Sequence, residues 1–280
     1  MRPRYSLAFV MALVVASQAS AVELVRGGKP LARIVVAANA PQVERFAASE
    51  FQSIIAKMSG AKLPIATDLS GDAKAWVLIG EGAARAAGQQ VMDAVPVDEI
   101  RDDGYAMATV DAGQRSFLVL MAKQPRGTLF AVYNLLETAF SCGFFSDGDR
   151  IPKRSDVSIY GLSMVGNPAF GLRACWVPTR YYGPKRFHAA LWNAQDWKRF
   201  LAWMAKKKMN CLAVEFSGDT RAWGEAFDKA FPETKGSKRE TIAPPDQPPV
   251  PGPTANLGWG LHPTYQTSLL KEVFAYARET

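Results

Sequence analysis

Apolar and polar positions along this chain change period several times, and each change marks an element. ARIVVAA (32–38) is short, apolar and rich in β-branched residues, which predicts a strand. VERFAASEFQSIIAKMSG (43–60) has helical spacing and ends at Gly60, a natural left-handed C-cap. WVLIGEG (76–82) predicts a second buried strand with a glycine turn. GYAMATV (104–110) and SFLVLM (116–121) predict a strand pair joined by the polar loop DAGQR. TLFAVYNLLETAF (128–140) predicts a helix whose apolar face carries Phe130, Val132, Leu135, Leu136 and Ala139, and IPKRSDVSIY then leads out through Pro152.

A second series begins near Asn167-Pro168. GLRACWVP (171–178) predicts a strand, followed by the aromatic, basic loop TRYYGPKRFHAALW. In the segment NAQDWKRFLAWMAKKKMNCLAVEFSG (193–218), Trp197, Phe200, Leu201 and Met204 fall at i, i+3, i+4 and i+7, a helix that Asn193 can cap. Asn210 suits the turn after it. CLAVEF then reads as a strand buried on both faces until Glu215, and the last residues of such strands face ligands in α/β folds. A short helix (220–231), the proline-rich excursion IAPPDQPPVPGPT (242–254) and an amphipathic helix (264–280) follow. Strand, helix, strand, excursion, helix is the opening of a (β/α)8 barrel, which needs about 250 residues to close. The expected fold is therefore an α+β N-terminal domain over 22–162, followed over 167–280 by the first β/α units of an incomplete TIM barrel.

Residues 1–21 stand outside that fold. Arg2 and Arg4 form a positive start, LAFVMALVVA a short apolar stretch, and Ala19-Ser20-Ala21 a small-x-small cleavage site, which predicts a signal peptide and a secreted or periplasmic protein. No later segment is apolar and long enough to cross a bilayer, so a soluble mature protein is expected. The formal charge of +7 falls by two when the leader is lost. Lys206-Lys207-Lys208 and Lys235 to Arg239 read as solvated basic faces, because export and the lack of a basic–aromatic array argue against nucleic acid.

Three widely spaced cysteines, Cys142, Cys175 and Cys211, form neither a CxxC pair nor a disulfide framework. His188 and His262 are the two histidines and show no metal-ligand spacing, so neither a metal nor a cofactor is expected. Gly80-Glu81-Gly82 follows a strand but does not complete GxGxxG, and reads as a strand-end turn. Pro125-Arg126-Gly127 reads as a turn and cap.

The residues support a family resemblance. SEFQSIIAKMSGAKLPI (49–65), and PRGTLFAVYNLLE (125–137) followed by GFFSDGDRIP (143–152), resemble segments of N-terminal domains in several retaining glycoside hydrolases, with Phe130-Ala131 in place of the usual Tyr-Gly. WNAQDWKRFLAWMAKKKMN (192–210) with AVEFSGDTRAW (213–223) resembles the start of the barrel in alpha-N-acetylglucosaminidases, glycoside hydrolase family 89. Related domains precede alpha-glucuronidase and bacterial hexosaminidase barrels. The resemblance implies a secreted exo-acting glycosidase with two catalytic carboxylates on later strands, beyond residue 280. No acid of this chain matches them, so the catalytic residues are unassigned and the chain by itself is expected to be inactive.

A part of a sugar pocket remains as the expected site. Arg173, Cys175 and Trp176 lie on the first strand, Tyr181 and Trp192 on the loop after it, and Glu215 at the end of the second. Aromatic faces cover the C–H face of a sugar, and charged groups bond its hydroxyls. The expected partners are a glycan substrate and the rest of the barrel. The alternative is a secreted carbohydrate-binding or docking module without catalysis.

Overall fold

The computed structural model describes residues 21–177, 193–214 and 267–279. The chain starts with β1 (Val22–Arg26), β2 (Lys29–Pro30) and β3 (Ala32–Val36), then α1 (Gln42–Ser59), β4 (Ile65–Ala66) and β5 (Ala75–Ile79). Two short helices, α2 (Glu81–Ala86) and α3 (Gln89–Asp93), precede the hairpin of β6 (Tyr105–Ala112) and β7 (Arg115–Met121). Next come α4 (Pro125–Thr138), the hairpin β8 (Gly143–Phe145) and β9 (Gly148–Arg150), β10 (Val157–Ile159) and β11 (Ser163–Gly166). The last described elements are β12 (Ala174–Val177), α5 (Ala194–Lys206), β13 (Cys211–Val214) and α6 (Thr267–Glu279).

A six-stranded mixed sheet, ordered β11-β6-β7-β5-β3-β4, organises the first unit. Strands β4, β3, β5 and β7 are mutually parallel, and β6 runs against β7 and β11. Successive side chains along a strand point to opposite faces, so each central strand feeds two cores. Ile34, Val36, Val77, Ile79, Leu118 and Leu120 pack under α1 and α4. Val35, Trp76, Leu78, Phe117, Val119 and Met121 pack on the other face against Ala83 and Ala84 of α2 and Val91 of α3. Burial on both faces is why these strands read as continuous apolar runs. A smaller sheet, β10-β1-β2, adds Leu24, Val157 and Ile159 to the α1–α4 side.

The helix ends follow local chemistry. Gly60 closes α1 with φ +78, its N–H donating to the Ala56 carbonyl. Asn193 opens α5 through a capping box: its side chain accepts from the Asp196 N–H, and Asp196 accepts from the Asn193 N–H. Three expectations change. Pro125 occupies the first turn of α4 instead of a preceding turn, where its missing N–H leaves no bond unmade. The loop between β6 and β7 shrinks to Gly113-Gln114, because Asp111 pairs with Ser116 and Ala112 with Arg115 in the ladder. The glycine turn after β5 leads directly into α2, which is too short to show a helical period.

Strands β12 and β13 are parallel neighbours with α5 packed on one face, a right-sized β–α–β unit. Val177, Trp197, Leu201, Met204 and Val273 of α6 form its small core. No barrel closes among the described residues. No helix among them is long and apolar enough to cross a membrane.

Candidate functional site

The β12–α5–β13 unit separates three residues that the sequence groups together. Val177 is buried and Cys175 half-buried, both packed toward α5, and burial raises the Cys175 thiol pKa, which keeps it protonated. Trp176, of opposite parity, is 57% exposed on the face away from α5. Arg173 turns toward the first unit. Tyr181, Trp192 and Glu215 lie outside the described residues, as do the loop after β12, the 220–231 helix and the proline-rich excursion.

Asp103 is where Arg173 ends. Its carboxylate is buried just before β6 and receives two bonds from the Arg173 guanidinium, at 2.6 and 3.1 Å. Asn210 donates to it at 3.2 Å, and Arg126 of α4 lies 3.4 Å away. Arg173 also donates to the Lys208 and Phe170 carbonyls and lies over the Phe130 ring. Asn210 completes the joint: its oxygen accepts from the Arg173 N–H and its amide donates to the Gly171 carbonyl. A bidentate, partly desolvated Arg–carboxylate pair is geometrically specific as well as strong.

The three lysines after α5 extend the same joint. Lys206 bonds Asp149 at 2.6 Å and lies over Phe144. Lys207 and Lys208 share Glu137, at 2.8 and 3.0 Å. Sequence spacing suggests a solvated face for this triplet, yet the acids and aromatic rings of α4 and the β8–β9 hairpin cover it. Such long-range pairing leaves no local signature in the sequence.

Burial alone would raise the carboxyl pKa values of Asp103 and Glu137, but their cationic partners outweigh it. Arg173, Asn210 and Arg126 hold Asp103 below its usual value, and Lys207 and Lys208 do so for Glu137. The stability they contribute is present above the unfolded-state values, 4.5 for Glu137 and 3.8 for Asp103, and is lost as pH falls through the lower folded values. The β12–α5–β13 unit is therefore expected to loosen in acid before the first unit does. Urea unfolding followed by tryptophan fluorescence from about pH 7 to about pH 3 should split into two transitions. A single transition throughout would contradict this.

A second buried acid sits at the carboxyl ends of the parallel strands. Glu44, in the first turn of α1, is 6% exposed, lies against Gly80 after β5 and accepts from the Thr128 hydroxyl at 3.4 Å. Burial raises its pKa, with Thr128 opposing and Glu81 adding to the rise. Its signal was present in the sequence: Glu44 precedes Ala47 and Ala48 by three and four residues, on the apolar face of the helix. Among the described residues, no group of three His, Cys, Asp or Glu could hold a metal ion.

Comparison with known proteins bears on the first unit most directly. Residues 21–135 match the family described as glycosyl hydrolase family 67 N-terminus. A comparison with curated protein sequences finds no match. Among solved structures, a family GH115 4-O-methyl-alpha-glucuronidase with specificity for decorated arabinogalactans aligns with 70% of this chain and 26% of its own, at TM-score 0.50 and 12% identity. The beta-hexosaminidase of Streptomyces plicatus aligns with 71% of this chain and 32% of its own, at TM-score 0.43 and 14% identity. The chain thus spans about a quarter to a third of these enzymes. Its fold is one found in glycoside hydrolases, and its first unit matches a glycoside hydrolase N-terminal domain.

Proposed function

We propose that this chain is the front part of a secreted, exo-acting glycoside hydrolase. In this reading residues 1–21 are a cleaved leader, 22–162 the N-terminal domain, and 167–280 the first strands of a catalytic TIM barrel. The match of residues 21–135 to a glycoside hydrolase N-terminal domain carries the proposal, and the parallel β–α–β unit directly after that domain supports it. The narrower assignment to the alpha-N-acetylglucosaminidases rests on the resemblance of residues 192–210 and 213–223.

Hydrolysis would use two carboxylates about 5–5.5 Å apart, one as nucleophile and one as acid/base, on strands the chain does not contain. The contribution from this chain would be binding. Trp176 offers an open aromatic face on the side of β12 away from α5, suited to the C–H face of a sugar. Glu215, Tyr181 and Trp192 are proposed beside it from sequence. Arg173 acts one step back, by seating β12 against the first unit through Asp103.

The test is expression of this chain together with its downstream coding sequence, assayed on p-nitrophenyl glycosides. Turnover of an exo substrate is expected, with KM raised about tenfold by Trp176→Ala and little change in melting temperature. This chain by itself should show none. Turnover by this chain unaided would overturn the front-part reading. Glycan binding without turnover by the longer protein would establish the binding-module alternative.

A further inference from the structure

A cleft of about 250 Å³ lies between the two units, at the N-terminal ends of β12 and β13. Its walls include Tyr105 and Phe130 from the first unit, and Arg173, Lys207 and Lys208 from around α5. The volume suits a molecule the size of one sugar ring, below the 300–1,000 Å³ range of larger ligand pockets.

Tyr105 is the observation that points to a ligand. It is 7% exposed and its ring end packs against Gly166, where an added Cβ would fall 2.3 Å from the ring and 2.5 Å from the hydroxyl oxygen. Its hydroxyl opens on the cleft and makes no hydrogen bond among the described residues, so its proton is available to a molecule bound there. Burial first, and the nearby Glu137 charge second, push its pKa up to about 12, so it stays protonated and remains a donor at any physiological pH.

The charges around the cleft give the sign of the ligand. Among the described residues, Arg126, Arg173, Lys207 and Lys208 pair with two carboxylates, Asp103 and Glu137. Arg173 is nearly saturated by Asp103 and two carbonyls. Each lysine ammonium, in contrast, makes one bond to Glu137 and has three donors, so both keep protons for another acceptor. Phe130 supplies an apolar wall.

We propose that this cleft binds a small organic carboxylate, held by the Tyr105 hydroxyl and the ammonium groups of Lys207 and Lys208 across the junction of the two units. Such a ligand touches both units and therefore fastens one to the other, by mass action. The proposal goes beyond the glycosidase reading and stands or falls separately from it.

Gluconate is a suitable probe, with sorbitol as its neutral counterpart of the same carbon skeleton. Calorimetric titration of the full chain at matched ionic strength should show gluconate binding at least tenfold tighter than sorbitol. Tyr105→Phe removes one oxygen from a ring that stays packed. It should weaken gluconate at least fivefold while leaving the far-UV spectrum unchanged, and Lys208→Gln should do the same. Gluconate should also raise the melting temperature of the wild-type chain and not that of Tyr105→Phe. Gluconate affinity unaltered in Tyr105→Phe, equal binding of sorbitol, or no binding of gluconate would each overturn the proposal, whatever the outcome of the glycosidase assay.

Discussion

Asp103→Ala is expected to detach the β12–α5–β13 unit from the rest of the molecule without unfolding the main sheet. Its carboxylate is 4% exposed and receives Arg173, Asn210 and Arg126 together. Removing it leaves the Arg173 side chain, 20% exposed, without the carboxylate it bonds. Deleting one partner of a buried pair destabilises by about 3–5 kcal/mol, largely because the other charge is stranded. The loss should be local. Hydrogen exchange should accelerate in β12, α5 and β13, while α1, α4 and the central strands keep their protection. An Asp103→Ala/Arg173→Met double substitution should recover part of the loss, because no unpaired charge then remains. A loss under about 1 kcal/mol, or one spread evenly over the whole chain, would show that the pair is not what seats the unit.

Gly80→Ala should damage the first unit about as much by a different route. Gly80 follows β5 with φ +90 and ψ 160, a region that side chains rarely enter. Backbone strain of this kind costs about 1–3 kcal/mol. The new Cβ would also fall 2.4–2.7 Å from the Glu44 carboxylate, which α1 and Thr128 hold in place. Overpacking adds about 1–3 kcal/mol more, so a total near 3 kcal/mol or above is expected in urea unfolding. Gly88 provides the control, since it has φ +104 and nothing within 4 Å of an added Cβ. Gly88→Ala should lose the backbone part alone, and Glu44→Ala should relieve Gly80→Ala more than it relieves Gly88→Ala. Equal losses at the two glycines would contradict the clash.

Elements buried on both faces or along one stripe are legible in the sequence, because burial writes its period into the residues. Ile34 to Val36, Val77 to Ile79 and Leu118 to Leu120 read as strands for that reason, and Phe51, Ile55 and Met58 as one face of α1. Caps read equally well where a residue type has a dedicated conformation, as Gly60 and Asn193 do. Short elements do not: α2, α3 and β11 span too few residues for a period, and β11 takes its place by pairing with β6, far earlier in the sequence.

The candidate site divides along the same line. Trp176 and Glu44 stand out against their local pattern, one aromatic on an open strand face and one acid on an apolar helix face. Asp103 and Lys206 to Lys208 show nothing unusual locally, since their partners lie from 23 to 107 residues away. Tyr105 reads as an ordinary strand residue. Only the absence of a partner for its hydroxyl, visible in three dimensions, sets it apart.

The most direct test of the glycosidase account is to read the transcript and genomic DNA across and beyond the codon for Thr280. The account predicts an open frame that continues through further strand–helix repeats, with two carboxylates at strand ends to be tested as nucleophile and acid/base. A stop codon immediately after Thr280 would contradict it and leave carbohydrate binding or docking as the function to assay.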